Sequence, residues 1–290
     1  MAQPVILAGD VGGTKTLLAL GTVTASGFTC SRLERYASRD YPNLQAILTL
    51  FLSGSPPPPH SCLGVPGPVL DNRCRTTNLP WEIDIPSIQL INDLEAMGWG
   101  LPWASETVCI QQGIPRSGNQ AILAPGTGLG EAGLFWDGER HHPWASEGGH
   151  ADFAPRTDIE IELLHICQRQ FGHASTERIV SGTGLELLAE FFKESPDVAL
   201  DQFVASLGAE AGNLALKLMA TGGLYLAGGT VRHLAPELQS PQFLDNLHNK
   251  GRFRPLMEQL PVYLITDELV ALKGAARYAF QSRMAGSSRS

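Results

Sequence analysis

The feature that most constrains the fold is an apolar run, a glycine-rich turn and a second apolar run, which occur together twice. In the first copy, residues 5–8 lead into Gly9-Asp10-Val11-Gly12-Gly13-Thr14, and residues 16–20 follow at once. In the second copy, residues 121–124 lead into residues 125–130, and residues 131–136 follow. Two apolar strands joined by a tight glycine turn form a hairpin. The repetition therefore predicts two structurally similar halves.

The remaining segments alternate between the two types of regular structure. Short apolar runs predict buried strands at residues 62–65, 88–91, 224–227 and 261–265. Helical spacing predicts helices at residues 44–52, where Asn43 is a suitable N-cap, through much of 158–218, and at 268–281. The strongest helical segment in the middle range is 207–219. Strands mixed with helices in two similar halves predict an α/β fold, with two lobes and an active-site cleft between them.

Composition argues against several classes of binding partner and several cellular locations. The chain has 290 residues, of which 43% are hydrophobic, and its formal net charge is −8. An acidic chain is a poor match for nucleic acid or for an anionic membrane surface. No apolar run reaches the length of about 18 residues that spans a bilayer, and the first residues do not resemble a signal peptide. Five scattered cysteines without a CxxC pair favour neither a disulfide framework nor a zinc site, so we expect a cytoplasmic protein.

The glycine-rich turns indicate phosphate binding, because glycine lets backbone amides converge on an anion. They match neither a P-loop nor a Rossmann fingerprint, since a strand rather than a helix is expected after each turn. A third glycine turn, at Gly228 and Gly229, also follows an apolar strand. Asp10 offers a carboxylate where Mg²⁺ would need one, although it could instead form an Asx turn. Lys15 is expected to be an exposed turn lysine.

Polar residues that could bind a sugar lie in three places. Asn92 and Asp93 follow an apolar strand, where sites in α/β folds commonly lie, but both residues are also favoured helix N-caps. In Glu147-Gly148-Gly149-His150, two glycines let an acid and a histidine face one ligand, although an ordinary loop fits equally well. Glu177 is either a ligand or a capping residue. These mixed donors and acceptors suit a ring of hydroxyls, and a carboxylate would serve as the base for a phosphoryl acceptor.

At these residues the chain resembles the bacterial glucokinases of the non-ROK type, within the actin/hexokinase/Hsp70 superfamily. The resemblance covers nearly the whole chain, and the motifs are specific as a set rather than singly. They are GDVGGTKT (9–16), IND (91–93), GTGLG (126–130), EGGHADFAP (147–155), HASTERIVSG (173–182), GNLAL (212–216) and AGG (227–229).

The resemblance implies that the protein phosphorylates the 6-hydroxyl of D-glucose with ATP and Mg²⁺, with Asp93 as the catalytic base. It implies that glucose hydroxyls bind to Asn92, Asp93, Glu147, His150 and Glu177. It also implies that Asp10 holds Mg²⁺, directly or through water. The nucleotide would contact the glycine-rich turns at Gly9, Asp10, Gly12, Gly13, Thr14, Gly126, Thr127, Gly128, Gly228 and Gly229.

The resemblance further implies two RNase H-like lobes, a small one of residues 1–102 plus 269–290 and a large one of residues 103–268. A homodimer is expected only by analogy with the family. One departure is Lys15, since related sequences often carry Asn there. Three alternatives stay open: a related hexose or amino-sugar kinase, a non-catalytic sugar sensor on the same fold, and an actin- or Hsp70-like ATPase. Polyphosphate or ADP as the phosphoryl donor also stays open.

Overall fold

The fold is described from a computed structural model, in which residues 4–24, 26–77, 79–193 and 195–287 are described. The chain divides into two compact units. Unit 1 comprises Met1–Ser105, Pro143–Ala145 and Asp267–Ser290, and unit 2 comprises Glu106–His142 and Ser146–Thr266. The lobe boundaries expected from the sequence, 1–102 plus 269–290 and 103–268, stay a prediction.

The strands are short and are distributed along most of the chain. In order they are β1 (Ile6–Val11), β2 (Lys15–Thr24), β3 (Gly27–Ala37), β4 (His60–Val65), β5 (Val69–Leu70), β6 (Arg73–Arg75), β7 (Glu82–Asp84), β8 (Gln89–Asn92), β9 (Thr107–Gln111), β10 (Gln120–Pro125), β11 (Leu129–Trp136), β12 (His141–Ser146), β13 (Gly223–Leu226) and β14 (Val262–Ile265).

The α-helices lie between the strands and at the end of the chain. They are α1 (Leu44–Phe51), α2 (Asp93–Gly100), α3 (Asp158–Phe171), α4 (Gly182–Phe191), α5 (Pro196–Leu218), α6 (Ala235–Leu238), α7 (Pro241–His248), α8 (Arg254–Glu258) and α9 (Val270–Ser287). None of the helices in the described ranges is both long and apolar enough to cross a membrane.

The main sheets of the two units share one topological pattern. In unit 1 the strand order is β3-β2-β1-β4-β8, and in the second main sheet it is β12-β11-β10-β13-β14-β9. Each sheet contains an antiparallel hairpin, β1–β2 or β10–β11, whose first strand pairs in parallel with the next strand across the sheet. The predicted repeat of strand, glycine turn and strand is therefore confirmed.

The sheet of unit 1 is covered on both faces, which explains why its inner strands are apolar without interruption. Along β1, Ile6 and Ala8 pack in the cluster formed with α9, whereas Leu7 and Val11 pack in the cluster formed with α1. This alternation is the period-two pattern of a strand. A small sheet of order β5-β6-β7 contributes Cys74 and other residues to the α1 side. Sequence analysis did not predict that sheet, because its strands are only two or three residues long.

The core of unit 2 is organised around α5, which is longer than the segment expected near residues 207–219. Its fully buried residues include Phe203, Leu207 and Ala211, spaced four apart on one helical face. Leu224 and Leu226 of β13 belong to the same cluster. The sheet and this helix therefore bury each other's apolar faces.

Two glycines let α2 and α9 of unit 1 approach each other closely. A Cβ at Gly274 would overlap the backbone carbonyl of Ala96 and lie 2.7 Å from the nitrogen of Gly100. A Cβ at Gly100 would overlap the carbonyl of Val270. Glycine lowers the intrinsic stability of each helix, but only glycine leaves room for the two helix backbones to touch.

Gly274→Ala should destabilise the protein by about 1–3 kcal/mol, because an overpacked interface outweighs the gain in helix propensity. Chemical denaturation measures the change in the free energy of unfolding. Ala189, which is exposed in α4, provides a control for the effect of helix propensity alone. There Ala189→Gly should cost roughly 1 kcal/mol from propensity alone. A Gly274→Ala variant as stable as the parent would show that the two helices can separate without cost.

Candidate active site

The first glycine-rich turn lies in unit 1, between β1 and β2. β1 ends at Val11 and β2 begins at Lys15, so the turn itself is Gly12-Gly13-Thr14. Ser38 supports it from outside: its hydroxyl donates to the Gly12 carbonyl at 2.7 Å, and its backbone nitrogen donates to the Thr14 carbonyl at 3.1 Å. Because a strand follows the turn, the exclusion of a P-loop is confirmed. Sequence analysis missed Ser38, which lies more than twenty residues away.

Two residues at this turn differ from their sequence interpretation. Gly9 lies inside β1 and is buried, and a Cβ there would lie 2.7 Å from Cδ2 of Leu18 and overlap Leu63. Core packing thus already requires glycine at that position. Lys15 is the first residue of β2 rather than a turn residue, and its ammonium, on a side chain that is 35% exposed, pairs with Glu268 at 3.1 Å.

Asp10 lies next to the end of β1 and is only partly accessible to solvent. Burial raises the pKa of its carboxyl to about 6, and Lys15 works in the opposite direction. The described residues contain no group of three or more His, Cys, Asp or Glu side chains that could hold a metal ion. A single carboxylate fits Mg²⁺ that takes its other ligands from substrate phosphates and water. The residues present therefore fit this metal.

The predicted base and its neighbour lie at the start of α2, also in unit 1. Asn92 is the N-cap: its Oδ1 accepts from the backbone nitrogens of Leu94 at 2.9 Å and Glu95 at 3.3 Å. Its Nδ2 donates to the Gly67 carbonyl at 3.3 Å. Asp93 is the first helical residue, and its Oδ1 also accepts from the Leu94 nitrogen. The N-cap interpretation of Asn92 is confirmed, and the positive end of the helix dipole stabilises the Asp93 carboxylate.

The second glycine-rich turn lies in unit 2, between β10 and β11. The Gly126 nitrogen donates to the Gly128 carbonyl at 2.8 Å, which closes the turn. The Gly126 carbonyl accepts from the Gly182 nitrogen at 2.7 Å and from the Thr230 hydroxyl at 3.1 Å. The turn is thereby joined to the start of α4 and to the loop after β13.

That loop contains the third glycine pair. Gly228 has a φ of 96°, which favours glycine, and a Cβ there would overlap the Pro125 carbonyl. Gly229 is exposed and has open space around it. Within unit 2 the structure therefore brings the predicted nucleotide residues of both turns together. Gly182 and Thr230 join them there, and sequence analysis did not select either residue.

The predicted sugar ligands of unit 2 lie beside the same turn. Gly148–His150 form a single 3₁₀ turn that follows Glu147. The His150 Nε2 lies 3.9 Å from Oε2 of Glu177, and that oxygen also accepts from the Leu129 nitrogen at 2.9 Å. Burial raises the pKa of Glu147, His150 lowers it, and Glu177 raises it further. Three predicted ligands are thus electrostatically linked.

The capping alternative considered for Glu177 is contradicted by its contacts. Glu177 lies on a 3₁₀ turn whose preceding residue, Ser175, makes no side-chain cap. Because its carboxylate binds the Leu129 nitrogen instead, the capping interpretation is wrong. Asp152, which closely follows His150 in sequence, pairs with the exposed His173 at 2.8 Å.

Comparison with known proteins places this chain in a family. The family model described as Glucokinase matches residues 7–198 and 193–282. The chain belongs to the glucokinase family. A glucokinase of Nostoc punctiforme is 37% identical, covering 93% of this chain and 97% of the relative, and one of Synechocystis is 36% identical, covering 95% and 98%. The predicted family is thus confirmed, whereas the non-ROK type stays a prediction.

Solved structures agree on the fold. A glucokinase from an Antarctic psychrotroph superposes with a TM-score of 0.81 at 29% identity, over 96% of this chain and 99% of that chain. A ROK family glucokinase from Streptomyces griseus, solved with glucose and AMPPNP, gives a TM-score of 0.64 at 17% identity, over 96% and 99%. The second likeness shows the fold alone. The predicted α/β class of the actin-like ATPases is confirmed, and the cleft between lobes stays a prediction.

Asp10→Asn should stabilise the protein at neutral pH. The folded-state pKa of about 6 lies above the unfolded value of 3.8, so folding disfavours the ionised carboxyl. The resulting loss of stability begins above pH 4 and is complete once the pH has passed 6. We expect the variant to gain roughly 1–2 kcal/mol at pH 7 and little at pH 4. Thermal unfolding at both pH values measures the change in stability. An equal gain at both would contradict a raised pKa for the Asp10 carboxyl.

Proposed function

We propose that this protein transfers a phosphoryl group from ATP to the 6-hydroxyl of D-glucose. Family membership supports the reaction. The observation that carries the site assignment is the position of Glu177, whose carboxylate contacts the backbone of the glycine turn and also lies 3.9 Å from His150. This side chain therefore couples the proposed phosphate turn to the proposed sugar ligands within unit 2.

In the proposed mechanism Asp93 aligns the 6-hydroxyl and accepts its proton. The start of α2 suits this role, because the helix dipole favours the ionised form of a carboxyl in its first turn. Asn92, Glu147, His150 and Glu177 hold the other hydroxyls and so restrict the sugar to one orientation. Most of the rate enhancement of phosphoryl transfer comes from such positioning and from charge stabilisation.

The glycine turns supply backbone amides for the phosphates of ATP, and the N-terminus of α4 beside Gly126 adds a favourable dipole. Mg²⁺, placed near Asp10, would neutralise charge on the transferred phosphoryl group. Closure around glucose would exclude the water that otherwise hydrolyses ATP.

Asp93→Asn should lower kcat by about 10²–10⁴-fold, the usual contribution of a general base, while changing the KM for glucose much less. Asparagine keeps an oxygen that can accept from the Leu94 nitrogen. A coupled assay for glucose 6-phosphate measures both constants.

Asp158 is the matched control, since it is an exposed aspartate in the first position of α3. Asp158→Asn removes the same charge from the same helical position and should leave kcat unchanged. A near-parental kcat for Asp93→Asn would remove Asp93 from the role of base.

Substrate choice is tested with a panel of glucose, mannose, fructose, galactose and N-acetylglucosamine, each supplied with MgATP. We expect strong turnover of glucose. Preferential turnover of another sugar would instead identify a related hexose or amino-sugar kinase. Glucose binding by calorimetry without turnover would favour a sugar sensor or a phosphoryl donor other than ATP.

We also propose a cytoplasmic location and a homodimer. The location is supported by the five cysteines, none of which forms a disulfide within the described residues, as expected in a reducing compartment. The dimer rests on analogy with the family alone. Light scattering on the purified chain tests it, and a mass near 31.2 kDa would exclude it.

A further inference from the structure

Glu131 is a buried acid that the proposed mechanism does not use. It lies in β11 of unit 2 and is only 2% exposed. Within the part of the chain that the structure describes, its Oε1 has no hydrogen-bond partner. The pKa of this carboxyl is raised to about 7, mainly by burial and in part by Glu210, while Lys217 acts in the opposite direction. Burying such a group costs stability.

The Glu131 side chain lies directly beneath Gly148. A Cβ at position 148 would lie 2.8 Å from Cδ of Glu131 and would overlap Oε2. Gly148 has no left-handed φ that would itself demand glycine. The Glu131 carboxyl therefore occupies the space that a Cβ at position 148 would need, so either this carboxyl or the turn must shift to admit a side chain there.

Hydrogen bonds of the Ser146 hydroxyl also join β11 to the turn at residues 147–150. The Ser146 hydroxyl donates to the Glu131 carbonyl at 3.0 Å and accepts from the Gly148 nitrogen at 3.2 Å. The next glycine, Gly149, rests on Leu129, two residues before Glu131 and on the same face of β11. Residues 147–150 thus follow the surface of β11 closely.

We propose that Glu131 is a positioning residue for glucose. Its buried carboxyl forms the surface on which residues 147–150 rest, and so fixes the directions of Glu147 and His150. The proposal rests on the proposed function of those two side chains. It explains why a buried acid with an unpaired Oε1 and an adjoining glycine occur together at this point, beside residues whose displacement by 1 Å would lower activity substantially.

The test introduces an overlap and then removes it. Gly148→Ala should raise the KM for glucose about 10- to 100-fold while kcat changes less. Glu131→Val removes Cδ and both oxygens but keeps a residue that suits a strand. In the double variant Gly148→Ala/Glu131→Val, the KM should return to within about threefold of that of Glu131→Val alone.

Two controls make the test specific. Glu131→Gln has the size of glutamate without its charge, so it should not rescue Gly148→Ala. Gly149→Ala would overlap the backbone carbonyl of Leu129, and Glu131→Val should not rescue it. If Gly148→Ala reduces the yield of folded protein, Glu131→Val should restore the yield and Glu131→Gln should not.

Three outcomes would overturn the proposal: a parental glucose KM in folded Gly148→Ala, a double variant no better than Gly148→Ala, or equal rescue by Glu131→Gln. If the parental protein does not phosphorylate glucose at all, the proposed function fails separately. The imidazole Hε1 resonance of His150 then reports the position of the turn. It should shift in Gly148→Ala and return in the double variant, and an unchanged resonance in Gly148→Ala would overturn the proposal.

Discussion

The backbone carbonyl of Gly126 is the acceptor on which the candidate site of unit 2 depends. It accepts hydrogen bonds from the Gly182 nitrogen and the Thr230 hydroxyl. These bonds join the β10–β11 turn, the N-terminus of α4 and the loop that follows β13. Separating these segments would break both hydrogen bonds at a partly buried carbonyl, which restrains them to this arrangement. The glycines at 126, 128 and 228 can line one surface only because these three segments converge.

β11 extends that arrangement from the turn to the proposed sugar ligands. The backbone nitrogen of Leu129, the first residue of β11, donates a hydrogen bond to Glu177. The Leu129 carbonyl lies against Gly149. Two residues later, Glu131 supports Gly148. One strand thus contacts both segments that carry the proposed sugar ligands of this unit, which is the kind of support that precise sites require. The cost is Glu131, a buried acid whose pKa is raised.

Much of the fold could be predicted, because its signals are local. Asn43 and Asn92 cap helices as expected, since a short polar side chain before an apolar helix is a strong N-terminal signal. The two hairpins were predicted because apolar runs flanking glycine have few other solutions. The small sheet β5-β6-β7 was not, since strands of two or three residues carry no periodicity.

The sequence by itself determined the α/β class, the repeated hairpin and the residue types available for a phosphate and a sugar. These follow from spacing and backbone preference over a few neighbouring residues. Only the tertiary structure decided what those residues touch. Lys15 forms an ion pair with Glu268, which lies near the other end of the sequence. Position 9 must be glycine because Leu18 and Leu63 fill the space that a side chain would need. The Glu177 carboxylate accepts a hydrogen bond from the Leu129 nitrogen. Such contacts join distant segments, so their partners are set by how strands and helices pack and not by any local pattern.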